Sequence, residues 1–324
     1  MSTLSAAVRQ LASADFSALA ARFTDAGFAV SEPARGIITL ASPDLAMRPS
    51  VLVSVGVHGD ETAPIEMLAQ VLDRLAPSSL AVNLMVCVGN IDAISVGTRF
   101  IDADLNRMFR AERGSLASAA ESARADAMID ATSAFFRHAG AQRWHLDLHT
   151  AIRPSVYPTF AVVPDLIAEQ PKAQLVHWLG QAGIGAIIMN PQSAGTYSYY
   201  TAEHHGAAAS TVELGRVGML GDNDLSLFAD VDAALDGLLR GLAPAATVTP
   251  HVFAVAQEII KHSDAFKMSF GRDTQNFTAL DAGAVIATDG DKVWTVGGQP
   301  ERVVFPNPDV RVGLRAGLMV VRIA

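Results

Sequence analysis

Residues 50–76 read SVLVSVGVHGDETAPIEMLAQVLDRLA, and this stretch decides the fold. SVLVSV is an uncharged, β-branched run, the signature of a strand buried on both faces. Gly56 and Gly59 then break the chain. From Glu61 on, apolar residues return at helical spacing, which predicts an amphipathic helix. The stretch is therefore a strand, a glycine turn and a helix in succession.

The same alternation extends in both directions. Upstream, residues 1–30 read as helix closing on Gly27, and IITL (37–40) as a strand. Downstream, NLMVCVGN (83–90) is a second apolar strand, and residues 121–139 form a helix after a polar stretch. Further strands are expected at RWHLDLHT (143–150), TFAVVPD (159–165), AIIMN (186–190) and AAASTVELG (207–215). PKAQLVHWLGQAG (171–183) and DLSLFADVDAALDGLLRGL (224–242) read as helices. Apolar strands alternating with helices indicate an α/β protein with a mostly parallel sheet covered on both faces. Sites in such sheets form at the carboxyl ends of strands. His58 and Glu61, Asn106 and Arg107, His149, and Glu213 are expected at those ends.

After GLAPAATVTP (241–250) the texture changes to short β-like runs separated by Gly, Pro, Asn and Asp: HVFAVAQEII, AVIAT, KVWTVG, RVVFP and LMVVRI. Two domains are expected, an α/β unit over residues 1–247 and a smaller β-rich unit over 248–324.

Composition narrows the function. The chain has 324 residues, half of them apolar, and a formal net charge of −9. That balance disfavours nucleic acid and anionic membrane as partners. No run approaches the roughly 20 apolar residues of a membrane span. The N-terminus lacks the pattern of a secretory signal. The single cysteine, Cys87, lies in an apolar run and reads as a small buried hydrophobe, which fits a cytoplasmic location. The sequence leaves a homo-oligomer open.

The chemistry-bearing residues begin with H58-G-D-E61. A histidine at a strand end and a glutamate in the first helical turn can address one ion, with Gly59 allowing a tight turn between them. His149, closing the strand RWHLDLHT, supplies a third ligand, and two imidazoles with one carboxylate form a standard catalytic zinc set. Either motif alone is a common surface pattern; their joint placement at strand ends makes the metal site. Asp147 shares the face of His149 and either orients it or serves as a buried structural carboxylate. His145 reads as structural. Taken by itself, Glu213 is an ordinary strand-end carboxylate.

Taken together, GVHGDETAPIE (56–66), RFIDADLNRMF (99–109), DLHTAIR (147–153) and ELG (213–215) resemble the succinylglutamate desuccinylase and aspartoacylase family of zinc carboxypeptidase-like hydrolases. The resemblance runs from about residue 50 to the C-terminus, through FPNP near 305 and GLRAGLM near 313. It implies a carboxypeptidase-like α/β/α domain with an appended β domain. It further implies one Zn²⁺ per chain on His58, Glu61 and His149, and Glu213 as the catalytic glutamate. Asn106 and Arg107 match the pair that grips a substrate carboxylate, and Arg99 an arginine near the scissile carbonyl. The wording HLDLHTAIR and DLNRMF points to the desuccinylase branch and so to N-succinyl-L-glutamate, a step in arginine catabolism. Aspartoacylases also use an arginine shortly before the catalytic glutamate and a C-terminal tyrosine. Here YTAEHHGAAAS (200–210) has no arginine and all four tyrosines precede residue 201, which favours a different acyl group.

The implied substrate is a small anionic N-acyl amino acid with three carboxylates. Arginine grips a carboxylate with two parallel bonds, so Arg99, Arg107 and Arg153 are the expected local cations. Arg107 is alternatively a surface ion-pair residue, and Asp102 and Asp104 either hold the arginines or shape the turn. The alternatives to desuccinylation are another N-acyl amino-acid deacylase, such as aspartoacylase, and a non-catalytic zinc-site binding protein.

Overall fold

The computed structural model describes residues 4–42, 47–242, 248–271 and 273–324. The chain runs through α1 (Ala6–Ala12), α2 (Ser17–Asp25), β1 (Ala29–Ala34), β2 (Ile37–Ala41), β3 (Ser50–Val55), α3 (Ala63–Arg74), β4 (Asn83–Val88) and α4 (Ile91–Val96). It continues with α5 (Glu121–Arg137), β5 (Arg143–Ala151), β6 (Thr159–Pro164), α6 (Glu169–Gln181), β7 (Ala186–Asn190), α7 (Tyr197–His205), β8 (Ala208–Arg216) and α8 (Ala229–Arg240). The last stretch is β-rich: β9 (His251–Ile260), β10 (Lys267–Met268), β11 (Thr278–Leu280), β12 (Val285–Asp289), β13 (Lys292–Thr295), β14 (Glu301–Val304) and β15 (Arg315–Arg322).

The central strands lie in the order β4-β3-β5-β8, all parallel. β3 and β4 are buried along their whole length, as an uncharged run between two helical layers must be. β6 follows β5 without an intervening helix and therefore enters antiparallel to β8. β7 returns parallel to β6 after α6. The same sheet then continues into the C-terminal stretch, because β9 pairs parallel to β7 and β15, β14 and β11 follow antiparallel. β10, β12 and β13 make a separate three-stranded sheet packed around Ile259, Ile286, Trp294 and Met319. Residues 243–247, where the two expected domains join, lie outside the described residues.

Three expectations need correction. Residues 1–30 are not one helix: the chain breaks between α1 and α2, where Ala14 takes a positive φ of 59° and Asp15 accepts from Ser17 N at 2.9 Å. It then turns after Gly27 into the edge strand β1. Glu61 lies before α3 and not in its first turn, because Thr62 is the capping position and Pro64 opens the helix. Asn106 and Arg107 are not at a strand end; they form a short 3₁₀ turn, Leu105–Arg107, on the long loop beyond α4.

Candidate metal centre

Three adjacent parallel strands build the site. The exit of β3 carries His58 and Glu61, β5 carries Asp147 and His149, and β8 carries Glu213, registered opposite His149. Gly59 is needed for close approach: a Cβ there would collide with the backbone of Ala93 and Ile94 in the middle of α4. Its N–H donates to Arg99 O at 3.0 Å, tying this turn to the loop that follows α4.

Glu61 sits at the centre. Its Oε1 lies 2.8 Å from His58 Nδ1 and 2.8 Å from an Arg99 Nη. Its Oε2 lies 2.9 Å from His149 Nδ1 and accepts from Thr150 N at 3.0 Å. The outer nitrogens of both imidazoles also meet carboxylates. His58 Nε2 is 2.9 Å from Asp104 Oδ1, and His149 Nε2 is 3.0 Å from Asp147 Oδ2. Ser54 donates to the other oxygen of Asp147 at 2.5 Å. His58, Glu61, Asp147 and His149 are all buried.

These contacts set the charges. Burial acts to neutralise Glu61, but His58 and His149 outweigh it and hold the carboxyl well below its ordinary value. Burial opposes charge on His149 too, yet Asp147 and Glu61 push its pKa well up. His58 is raised as well, because Glu61 and Asp104 outweigh burial and Arg99. His145, buried with its two nitrogens 2.8 Å from Ser54 Oγ and Thr201 Oγ1, falls to about 4 through burial and stays neutral. Glu213 is shifted the opposite way from Glu61, Asp104 and Asp147, as is the adjoining Asp60, which burial also raises. The buried Oε2 of Glu213 has no hydrogen-bond partner, and burial followed by the neighbouring Glu61 pushes this carboxyl up to about 7.

Among the described residues, His58, Glu61 and His149 are the group whose donor atoms could hold a metal ion, all within 4.8 Å of one another. Two imidazoles and one carboxylate, buried and mutually convergent, fit zinc. Protons now shared within the cluster would be displaced by such an ion.

The remaining expected site residues divide. Arg99 is brought to Glu61. Asn106 is buried and anchored: its Oδ1 accepts from Tyr197 N and its own N–H donates to Asp104, both at 2.9 Å. Arg107 donates to Asn106 O at 2.7 Å, has Asp104 at 3.9 Å, and keeps a third of its side chain exposed. Arg153 is not among them, since its described contact is a 3.5 Å bond to Gly271 O. Sequence reasoning missed Asp104 as a partner of His58; the signal present was its place in the acidic turn DADLNR.

Comparison with known proteins agrees with this architecture. Residues 47–239 match the succinylglutamate desuccinylase/aspartoacylase catalytic domain, and residues 248–323 the barrel-sandwich hybrid domain of the same family. A succinylglutamate desuccinylase of Burkholderia orbicola (strain MC0-3) is 46% identical over 286 residues, covering 87% of this chain and 83% of that one. The crystal structure of the succinylglutamate desuccinylase from Chromobacterium violaceum superposes with a TM-score of 0.80 at 38% identity, over 92% of each chain. A metallo-carboxypeptidase from Burkholderia cenocepacia shares the fold at a TM-score of 0.50 and 18% identity, over 69% of each chain. The chain belongs to the succinylglutamate desuccinylase/aspartoacylase family.

Proposed function

We propose that this chain hydrolyses N-succinyl-L-glutamate to succinate and L-glutamate, with one zinc ion held by His58, Glu61 and His149. The observation that carries the reading is Glu213: a buried, unpartnered carboxylate pushed up to about 7 beside a three-ligand cluster. A non-catalytic metal site has no use for such a group, whereas amide hydrolysis needs a proton carrier that ionises near neutrality. A zinc ion bound there would supply a Lewis acid and lower the pKa of a water molecule to about 7.

Glu213 takes the proton from the attacking water and delivers it to the departing glutamate nitrogen. Arg99, only partly exposed and already close to Glu61, places positive charge where the carbonyl oxygen becomes negative. Arg107 and Asn106 hold a substrate carboxylate. The backbone anchors of Asn106 leave its amide fixed, so ordering it costs little entropy on binding. Asp104 and Asp147 orient the two imidazoles.

The choice of acyl group rests on the similarity to desuccinylases and on the absence of an arginine from YTAEHHGAAAS (200–210). The arginine-catabolic setting rests on the same similarity, and a cytoplasmic setting on the buried, free thiol of Cys87. Among the described residues no helix is long and apolar enough to cross a membrane. Hydrolysis of a panel of N-acyl amino acids, with zinc and with chelator, tests the reading. Selective, zinc-dependent release of glutamate from N-succinyl-L-glutamate is expected. A preference for N-acetyl-L-aspartate would instead assign aspartoacylase chemistry.

A further inference from the structure

The residues proposed to meet substrate share one segment, 99–107, that has almost no regular structure of its own. Between the end of α4 and the start of α5 the chain forms only short 3₁₀ turns. Preorganised arginines need a rigid support, and this segment draws its support from the first turn of α5. Glu121, buried, turns its carboxylate into the loop. Oε1 accepts from Ile101 N at 2.7 Å and Asp102 N at 3.1 Å, and Oε2 from Ala103 N at 3.0 Å. Asn90 Nδ2 adds a fourth donor at 3.3 Å. Asp102 reciprocates by accepting from Ala120 N at 3.2 Å. A second clamp grips the far side, where Arg113 donates to Met108 O at 2.7 Å and is itself held by Ser122 and Asp126.

We propose that Glu121 is a positioning residue whose carboxylate, by gathering three consecutive backbone N–H groups, fixes the loop that presents Arg99, Asn106 and Arg107 to an anionic substrate and Asp104 to His58. The inference rests on the substrate reading above. The chemistry requires two acceptor oxygens, which only a carboxylate offers. Burial works to raise its pKa, but the N–H groups of Ala103, Asp102 and Ile101 outweigh burial and hold it below its ordinary value, so the charge persists at neutral pH. Glutamine keeps one acceptor and turns an NH₂ toward amides that are themselves donors.

Glu121→Gln therefore separates positioning from mere stability. Trypsin cleavage after Arg99, Arg107 or Arg110, followed by mass spectrometry, should accelerate by about tenfold or more in Glu121→Gln. With N-succinyl-L-glutamate, kcat/KM should fall by about the same factor, mainly through KM, while zinc content stays at the wild-type level. Glu121→Asp, which keeps the charge one methylene shorter, should be intermediate in both readouts and serves if the glutamine variant does not fold. Wild-type tryptic resistance and wild-type KM in both variants would overturn the proposal, and so would a lowered melting temperature with both readouts unmoved. If the wild-type chain cleaves no N-succinyl-L-glutamate, the substrate reading fails, and the tryptic comparison still decides the role of Glu121.

Discussion

Replacing Glu213 by glutamine removes one ionisation and nearly nothing else, so its effect on the metal-free protein can be worked from the structure. Glu213 ionises at about 7 in the folded chain against an ordinary 4.5. Below pH 4.5 both folded and unfolded chains hold the proton and the group is silent. Between 4.5 and 7 the unfolded chain releases its proton while the folded chain keeps it. The stability contributed by the neutral buried carboxyl is thus lost as pH rises, fully so above 7. A displacement of this size corresponds to about 3 kcal/mol. With an unfolding entropy of roughly 2.1 cal/mol/K per residue, a chain of this length converts that to a melting shift of about 4 °C. Metal-free Glu213→Gln should therefore melt about 4 °C above metal-free wild type at pH 8, and nearly level with it at pH 5. Scanning calorimetry at the two pH values reads this directly. Zinc content should be normal on reloading, since Glu213 is not proposed as a ligand, and turnover should fall by about 10²–10⁴-fold. Equal melting points at pH 8, or the same shift at both pH values, would show that no buried ionisation exists at 213. Retained turnover with normal zinc would assign the proton transfer to another group.

Exhaustive chelation should abolish hydrolysis while leaving far-ultraviolet circular dichroism unchanged, because the three ligands sit on a scaffold folded around its own apolar core; full activity in chelator would remove the metal from the mechanism. Arg107→Lys should lower kcat/KM about 10- to 100-fold, the loss of charge-assisted bonds worth about 1.5–3 kcal/mol, and an unchanged value would make Arg107 a surface residue. Asp147→Asn should weaken zinc binding by about 10- to 100-fold, measured by competition with a chromogenic chelator, since it is the partner of His149 Nε2. Undiminished affinity would leave Asp147 a structural residue bonded to Ser54.

How much of this was legible beforehand follows from where each signal resides. The central strands announce themselves, because burial on both faces forces the uncharged runs SVLVSV and NLMVCV, and the joint placement of H58-x-x-E61 and His149 at strand ends marks the metal cluster. β1 was hidden: its residues AVSEPA face solvent on an edge strand, so neither alternation nor apolar length betrays them. α7 was equally silent, since YSYYTAEHH has no helical spacing of apolar residues and owes its place to tertiary contacts such as Ser198 on Thr211 and Tyr197 on Asn106.

The deepest omission concerns support. Asp104 meets His58 across 46 positions of sequence, and Glu121 meets residues 101–103 through their backbone alone. A carboxylate that binds N–H groups imposes no side-chain identity on its partners, so no motif records it. The ligands of such a centre can be read from spacing, because the metal demands particular donors. The loop proposed to bring arginines to the substrate cannot, because what holds it is peptide backbone that every sequence possesses. On the proposed function this asymmetry matters: in an acidic chain, attraction for a multiply charged anion must be local, and it is only as strong as the fixing of Arg99 and Arg107 allows.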